Sequence, residues 1–333
     1  MKNFIPSSPI FYFCLIMGTM MSLSASHWLF LWIGMELNLF SFIPLIINNS
    51  NTISLEASIK YFLVQLFSSI MLITSMMSLF ITNYSLSSLL MMFFFFMSIF
   101  TKLGIAPCHF WYPMIISALS WPMCFIMMTW QKIIPLFILM FILYMLPLKL
   151  MYLSVLLSSL VGGMGGMNQT QLRSLLAYSS ISHMSWILST LILSPLISFF
   201  YFLSYSFILF PLIYINFTLN ISSNNQLFNL FSSSKLTFMI FSLSMLSLGG
   251  LPPLFGFFPK WLSMMLLLNK NMIFMILFLI LGSLMNLYYY LMLIFPLMNF
   301  FNFKFMKIKL NKNFIFFFSF SFLGIIPSIY FSI

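Results

Sequence analysis

The architecture this sequence predicts is an all-α polytopic membrane protein with about eleven transmembrane helices. Three observations predict it. The 333 residues are 62% hydrophobic with a mean hydropathy of +1.12, against roughly 45–50% apolar content in soluble domains. Only 5% of the residues are charged. Apolar runs of about 20 residues, the length that crosses a bilayer as helix, recur between short polar breaks. A β-barrel would need strands of alternating polarity, and runs such as MMFFFFMSIF (Met91 to Phe100) do not alternate.

The spans follow in order at 8–25, 28–47, 58–82, 86–112, 120–145, 149–167, 171–193, 195–219, 235–268, 272–297 and 313–332. The start, MKNFIPSSPIFYFCLIMG, has one lysine and no small-residue cleavage site, so it reads as the first span rather than a removable signal. Turn chemistry separates the rest: NNSNT from Asn48, Asn83, Pro147, NQT from Asn168, SSNNQ from Ser222 and NKN from Asn269. Before the third span, Ser54 is the expected helix cap. Glu56 is favoured near the positive helix end and forms an i,i+4 pair with Lys60, a structural feature worth tenths of a kcal/mol.

An odd span number places the termini on opposite sides. Loops on the amino-terminal side carry Lys2, Arg173, Lys235, Lys304, Lys307, Lys309 and Lys312, against Lys149 and Lys270 on the other. By the positive-inside rule the amino terminus faces the matrix or cytoplasm. The spans also divide into blocks. Residues 1–147 and 148–298 form two five-helix repeats of opposite starting side, each with a broken fourth helix, and 299–333 add a basic loop and a C-terminal helix. Paired interrupted helices in corresponding positions mark inverted-repeat transporters. The lysine precedes the proline in one broken helix and follows it in the other, so the symmetry is weak at residue level.

Function is written in the few charges. Glu36, one of two acidic residues, sits inside WLFLWIGMELNLFSFIPL (Trp28 to Leu45), and Lys102, Lys132 and Lys260 lie inside other apolar runs. An ionisable group at that depth costs about 2.5–3.5 kcal/mol on insertion scales and marks ion or proton handling. Prolines accompany the charges. Pro107 frees the carbonyl of Leu103 beside Lys102, Pro135 that of Gln131 beside Lys132, and Pro44 that of Phe40 one turn beyond Glu36. Pro252, Pro253 and Pro259, with Gly249 and Gly250, are expected to interrupt the helix of Lys260. Freed carbonyls persist in a membrane only where protein or water satisfies them, so each charge should have a polar neighbourhood. At about 7 Å and an effective dielectric near 20, one charge acts on another with about 2.4 kcal/mol.

The buried carboxylate of Glu36 is either a switching charge or half of a structural ion pair. His183, among Ser179, Ser180, Ser182 and Ser185, is either a proton relay or a packed neutral ring. His109 and His27 read as structural and interfacial. Gly162 and Gly166 form a GxxxG expected to pack helices closely. Cys14, Cys108 and Cys124 fall in apolar runs without redox or metal spacing. The net charge of +11 lies mostly at span ends, which argues against a nucleic-acid partner. No Rossmann fingerprint, P-loop, CxxC or metal cluster occurs, so no cofactor is expected on this chain.

Five segments carry a resemblance: EASIKYFLVQ (Glu56 to Gln65), TKLGIAPCHFWYP (Thr101 to Pro113), TWQKIIPL (Thr129 to Leu136), GGMGGMNQTQLRSLLAYSSISHMSW (Gly162 to Trp186) and LSLGGLPPLFGFFPKW (Leu246 to Trp261). Over nearly the whole chain the sequence resembles the antiporter-like membrane subunits of respiratory complex I, NADH:ubiquinone oxidoreductase, in their animal form. The resemblance implies that Glu36 is the family's buried glutamate, Lys102 its partner on a broken helix, Lys132 the central lysine and Lys260 the lysine on the second broken helix. Cys108 stands where the family more usually has an aromatic. The resemblance also implies a multi-pass protein of the mitochondrial inner membrane, partnered by lipid and by other membrane-arm and accessory subunits. NADH, FMN, iron–sulfur clusters and ubiquinone would reside on those partners. The expected function is proton translocation driven by redox chemistry elsewhere. Two rivals remain, a stand-alone cation/proton antiporter and a non-pumping scaffold. Bacterial relatives carry three further helices before this start, so the exposed flank is expected to need neighbouring subunits.

Overall fold

The computed structural model describes residues 8–47, 52–81, 86–143, 148–229 and 235–301. The regular structure among these residues is helical, apart from one isolated bridge between Gln171 and Ser223. The chain divides into two compact units, Met1–Pro147 and Leu148–Ile333.

In the first unit, α1 (Ser8–Leu23) packs along α2 (Trp28–Ile47). Two glycines set that approach. A Cβ at Gly18 would stand 3.0 Å from the amide of Asn38, and one at Gly34 would stand 2.8 Å from the carbonyl of Gly18. The next helix, α3 (Thr52–Ile81), lies against α2 and against α4 (Leu86–Leu103). A short α5 (Trp111–Ala118) follows, then α6 (Trp121–Met128) and α7 (Trp130–Ile142).

The second unit is arranged around α9 (Leu172–Leu193). It packs against α8 (Leu148–Met167), α10 (Pro195–Thr218), α12 (Phe257–Asn269) and α13 (Ile273–Phe301). A 3₁₀ turn at Asn224–Asn229 and α11 (Lys235–Gly249) lie between α10 and α12. The predicted GxxxG contact is present but serves two partners. Gly162 and Gly165 admit Ser182 and Tyr178 of α9, whereas Gly163 and Gly166 admit Met285 and Tyr289 of α13. The run GGMGG therefore lets α8 sit between two helices instead of pairing with one.

Among the described residues seven spans are long and apolar enough to cross a membrane, with α6 and α7 counted together, and three further apolar helices are shorter. The outward surface suits hydrocarbon: Leu196 is 84% exposed and Phe13 63%. Serine and threonine hydroxyls lie inside, satisfied largely by their own helices. Ser68, Ser98 and Ser158 each donate to the carbonyl three residues back.

Several expectations are corrected. The third helix begins at Thr52 and not near 58, so Ser54 and Glu56 lie within it and Ser54 is no cap at its start. The fourth span does not end at 112; its second half runs on to Ala118. The span expected at 120–145 is interrupted at Thr129, and Pro135 lies within a continuous α7. Pro259 does not break its helix, because in the first turn of α12 no intrahelical partner awaits its missing N–H. Pro44 is likewise accommodated inside α2. The span predicted at 313–332 and the lysines at 2, 304, 307, 309 and 312 fall outside the described residues.

Candidate functional site: buried lysines at two broken helices

The first broken helix is made by a glycine as much as by a proline. After Leu103, Gly104 adopts φ +67°, and a Cβ there would stand 3.0 Å from the ring of Tyr112. Only glycine meets both demands without strain. The chain closes the end of α4 with two tight bonds, from the Gly104 amide to the Thr101 carbonyl and from Ile105 to Phe100. It then crosses Pro107 and restarts as α5 at Trp111. Lys102 is thereby left in the last turn of α4, where the carbonyl end of the helix favours a positive charge.

A cavity of about 30 Å³, room for a water or two, opens beside this break. Lys102, Lys132, Tyr61, Gln65, Asn38 and Gln131 supply its polar lining, so α2, α3, α4 and α7 all contribute. Lys102 Nζ lies 3.4 Å from the Met35 sulfur. The ammonium of Lys132, a residue only 2% exposed, stands 4.7 Å above the Tyr112 ring, a cation–π contact. The two lysines predicted to cooperate therefore share one chamber, and Lys132 is not sealed behind an apolar plug. The room and the polar groups suit water.

Glu36 is buried on α2 within electrostatic range of Lys102 and of Tyr61. Its Oε1 has no hydrogen-bond partner among the described residues, and no cation approaches its carboxylate within ion-pair distance there. Among the described residues the ion pair is a peripheral one, Glu56 with Lys60 at 3.8 Å, both side chains more than half exposed. A closed structural ion pair between Glu36 and Lys102 is not what the fold holds. The lysine turns to a thioether and the carboxylate keeps a free oxygen.

The second broken helix repeats the theme in the other unit. α11 ends at Gly249, Gly250 takes φ +84°, and α12 restarts at Phe257. Lys260, 3% exposed, reaches back from the first turn of α12 and donates to the carbonyls of Leu248 at 3.0 Å and Gly249 at 2.9 Å. Its ammonium thus caps the α11 terminus, whose carbonyls have no helical partner. Gly250 makes the room, since a Cβ there would lie 2.8 Å from Lys260 Cδ and Nζ.

His183 lies 4% exposed on α9, its Nδ1 3.1 Å from the Tyr201 hydroxyl and its ring 4.9 Å from that of Tyr205. The neighbouring hydroxyls of Ser179, Ser182 and Ser185 donate to carbonyls of their own helix, and Asn286 of α13 donates to Ser182. His109 contacts the Pro107 carbonyl and the Phe110 ring, beside the first break. His27 is exposed at the start of α2 near Phe30. No group of three His, Cys, Asp or Glu side chains that could hold a metal gathers among the described residues.

Sequence reasoning named Gly250 at the second break but missed Gly104, Met35, Asn38 and Tyr112. Gly104 carried a usable signal, because it lies three residues before Pro107 in a proline-marked break. The others carried none, being ordinary residues of apolar helices.

Comparison with known proteins follows the same lines. A family model described as NADH:quinone oxidoreductase/Mrp antiporter, transmembrane region, matches residues 25–286. NADH-ubiquinone oxidoreductase chain 2 of Lumbricus terrestris is 42% identical over 281 residues, covering 84% of this chain and 83% of that one. In fold, the chain is similar to a chain of respiratory complex I from Thermus thermophilus, with a TM-score of 0.78 at 24% identity over 87% of this chain and 70% of that one. It is similar also to a chain of the Mrp complex from Dietzia sp., with a TM-score of 0.76 at 16% identity over 86% of this chain and 59% of that one.

Proposed function

Since the chain belongs to the family of NADH-ubiquinone oxidoreductase chain 2, within the wider NADH:quinone oxidoreductase/Mrp antiporter group, we propose that it is a proton-translocating subunit of mitochondrial respiratory complex I. NADH oxidation and ubiquinone reduction take place on partner subunits with their own flavin and iron–sulfur centres. This chain lies across the inner membrane with its amino terminus toward the matrix and converts charge rearrangement into proton movement. Its two five-helix blocks are inverted repeats of one plan. The observation that supports this reading best is the chamber of the first unit, where Lys102 and Lys132 line one cavity and Glu36, its Oε1 without a hydrogen-bond partner, lies within electrostatic range of Lys102.

The sequence of events follows from Coulomb's law. A change of charge at a neighbouring subunit draws Glu36 toward or away from Lys102, and at about 7 Å and an effective dielectric near 20 that shift is worth about 2.4 kcal/mol. Moving one proton against 100 mV costs about 2.3 kcal/mol, a matching magnitude. Lys102 hands its proton by way of chamber water to Lys132. From there it passes through the second unit to Lys260, with His183 as an intermediate relay, and leaves under repulsion from the next charge.

Lys132 is the middle site, so Lys132→Met in the assembled complex should reduce proton pumping and NADH-driven ubiquinone reduction together, by about tenfold or more. Wild-type pumping in an assembled mutant would remove the relay. The stand-alone antiporter reading is separated by purification. It requires a chain that exchanges cations for protons when isolated, whereas a complex I subunit is recovered within an NADH-oxidising assembly.

A further inference from the structure

The lysines of the first unit are attached to different helices, yet a single turn of α2 touches the segments that carry both. Met35 places its sulfur 3.4 Å from Lys102 Nζ. One turn on, Asn38 accepts a hydrogen bond from the side chain of Gln131, Nε2 to Oδ1 at 3.2 Å. Met35 and Asn38 are i,i+3 neighbours and share one helix face, with Glu36 on the turn between them.

The segment bonded to Asn38 departs from regular helix. At Thr129, between α6 and α7, φ is −118° and ψ −70°. The amide of Lys132 bonds to Thr129 at i−3 rather than i−4. Pro135 has no N–H to offer the Gln131 carbonyl. The peptide that joins Gln131 to Lys132 thus stands outside the ordinary i−4 ladder, its N–H bonded at i−3 and its carbonyl without a donor at Pro135. The bond from Gln131 to Asn38 joins this segment to α2 across the chamber.

We infer that the Asn38–Gln131 hydrogen bond is the coupling link that transmits movement of the Glu36-bearing turn of α2 to Lys132, with Gln131 acting as a positioning residue for that lysine. A displacement of α2 that follows a change of partner at Glu36 pulls Asn38, and through it the hinge at Thr129–Lys132. The Lys132 ammonium then shifts between the Tyr112 face and the chamber. The inference rests on the proton-translocating role proposed above and adds a mechanical route from glutamate to central lysine that does not depend on field alone.

The test uses the intact complex with three variants, Gln131→Leu, Asn38→Leu and the double substitution, each normalised to assembled complex on native gels. Either single change should lower turnover and pumping about three- to tenfold and move the pH profile of turnover, and the double should be no worse than the stronger single. Asn38→Ser, which keeps a neutral acceptor oxygen for the Gln131 amide, should retain more of the rate than Asn38→Leu. Normal turnover and an unchanged pH profile in assembled Gln131→Leu would overturn the link, as would losses that multiply in the double variant. Lys132→Met run in parallel separates the failures. If it pumps normally, the translocation reading itself falls; if it is inactive while Gln131→Leu is normal, only the link falls.

Discussion

Glu36 and Gly250 show how one atom's surroundings decide a role that residue identity leaves open. Glu36 could have been half of a closed ion pair, but its Oε1 lacks a partner and Lys102 rests against Met35 sulfur. A carboxylate so placed contributes through charge. Glu36→Gln, nearly isosteric, should assemble normally and turn over about tenfold more slowly, the factor that about 1.4 kcal/mol of lost interaction would give. Reduced assembly with normal activity per complex would instead favour the structural role. Gly250 is a steric case. It holds φ +84° and its missing Cβ leaves the space occupied by Lys260 Nζ. Gly250→Ala should therefore push the ammonium off the Leu248 and Gly249 carbonyls, at a backbone cost of about 1–2 kcal/mol. Pumping by the assembled variant should fall as it does in Lys260→Met. Full pumping would show that the clamp is dispensable. Charge position was legible in the sequence because an ion in an apolar run is conspicuous. The clamp was not, because it depends on where two carbonyls point after a chain reversal.

At the scale of helices, prolines announced the breaks but misplaced some of them. Pro107 and Pro252–Pro253 fall inside the two interruptions, whereas Pro44, Pro135 and Pro259 sit in continuous helix. The difference is local. A proline in a first turn removes a donor that had no partner, and one deeper in a helix frees a single carbonyl that the polar interior can satisfy. The break at Thr129 had no proline or glycine to mark it. Helix packing was more legible, since Gly162 and Gly166 invited close approach, although the sequence could not say that α9 and α13 would both take advantage of it. Gly162 faces α9 so closely that a Cβ would lie 2.6 Å from the Ser182 amide. Gly162→Val should force the helices apart at a cost of about 1–3 kcal/mol. The quantity to measure is the amount of assembled complex, which should fall while activity per surviving complex stays near normal. Wild-type levels of the valine variant would mean that the α8–α9 contact is looser than its geometry implies.

For the whole molecule, the question is whether the two units work in series. Each contains a helix broken at a positive-φ glycine with a lysine at the break, Lys102 with Gly104 and Lys260 with Gly250. The chemistry differs between them. Lys102 borders a chamber that it shares with Lys132, whereas Lys260 is bonded to two carbonyls of its own broken helix. A lysine in a polar chamber can exchange protons with water that enters it. A lysine bonded to two carbonyls at a helix end must first be driven off them by an approaching positive charge. That asymmetry suits a series relay in which the first unit loads and the second holds until pushed. In series, removing either link stops the whole path, so Lys132→Met, Lys260→Met and the double variant should lose pumping to the same extent. Parallel paths would give partial losses in each single variant and a larger one in the double. Proton-to-electron ratios in reconstituted complex distinguish the two cases, provided assembly is matched. A partial, additive pattern would mean that each unit moves its own proton, and the chain would then be two half-pumps in one sequence rather than one relay.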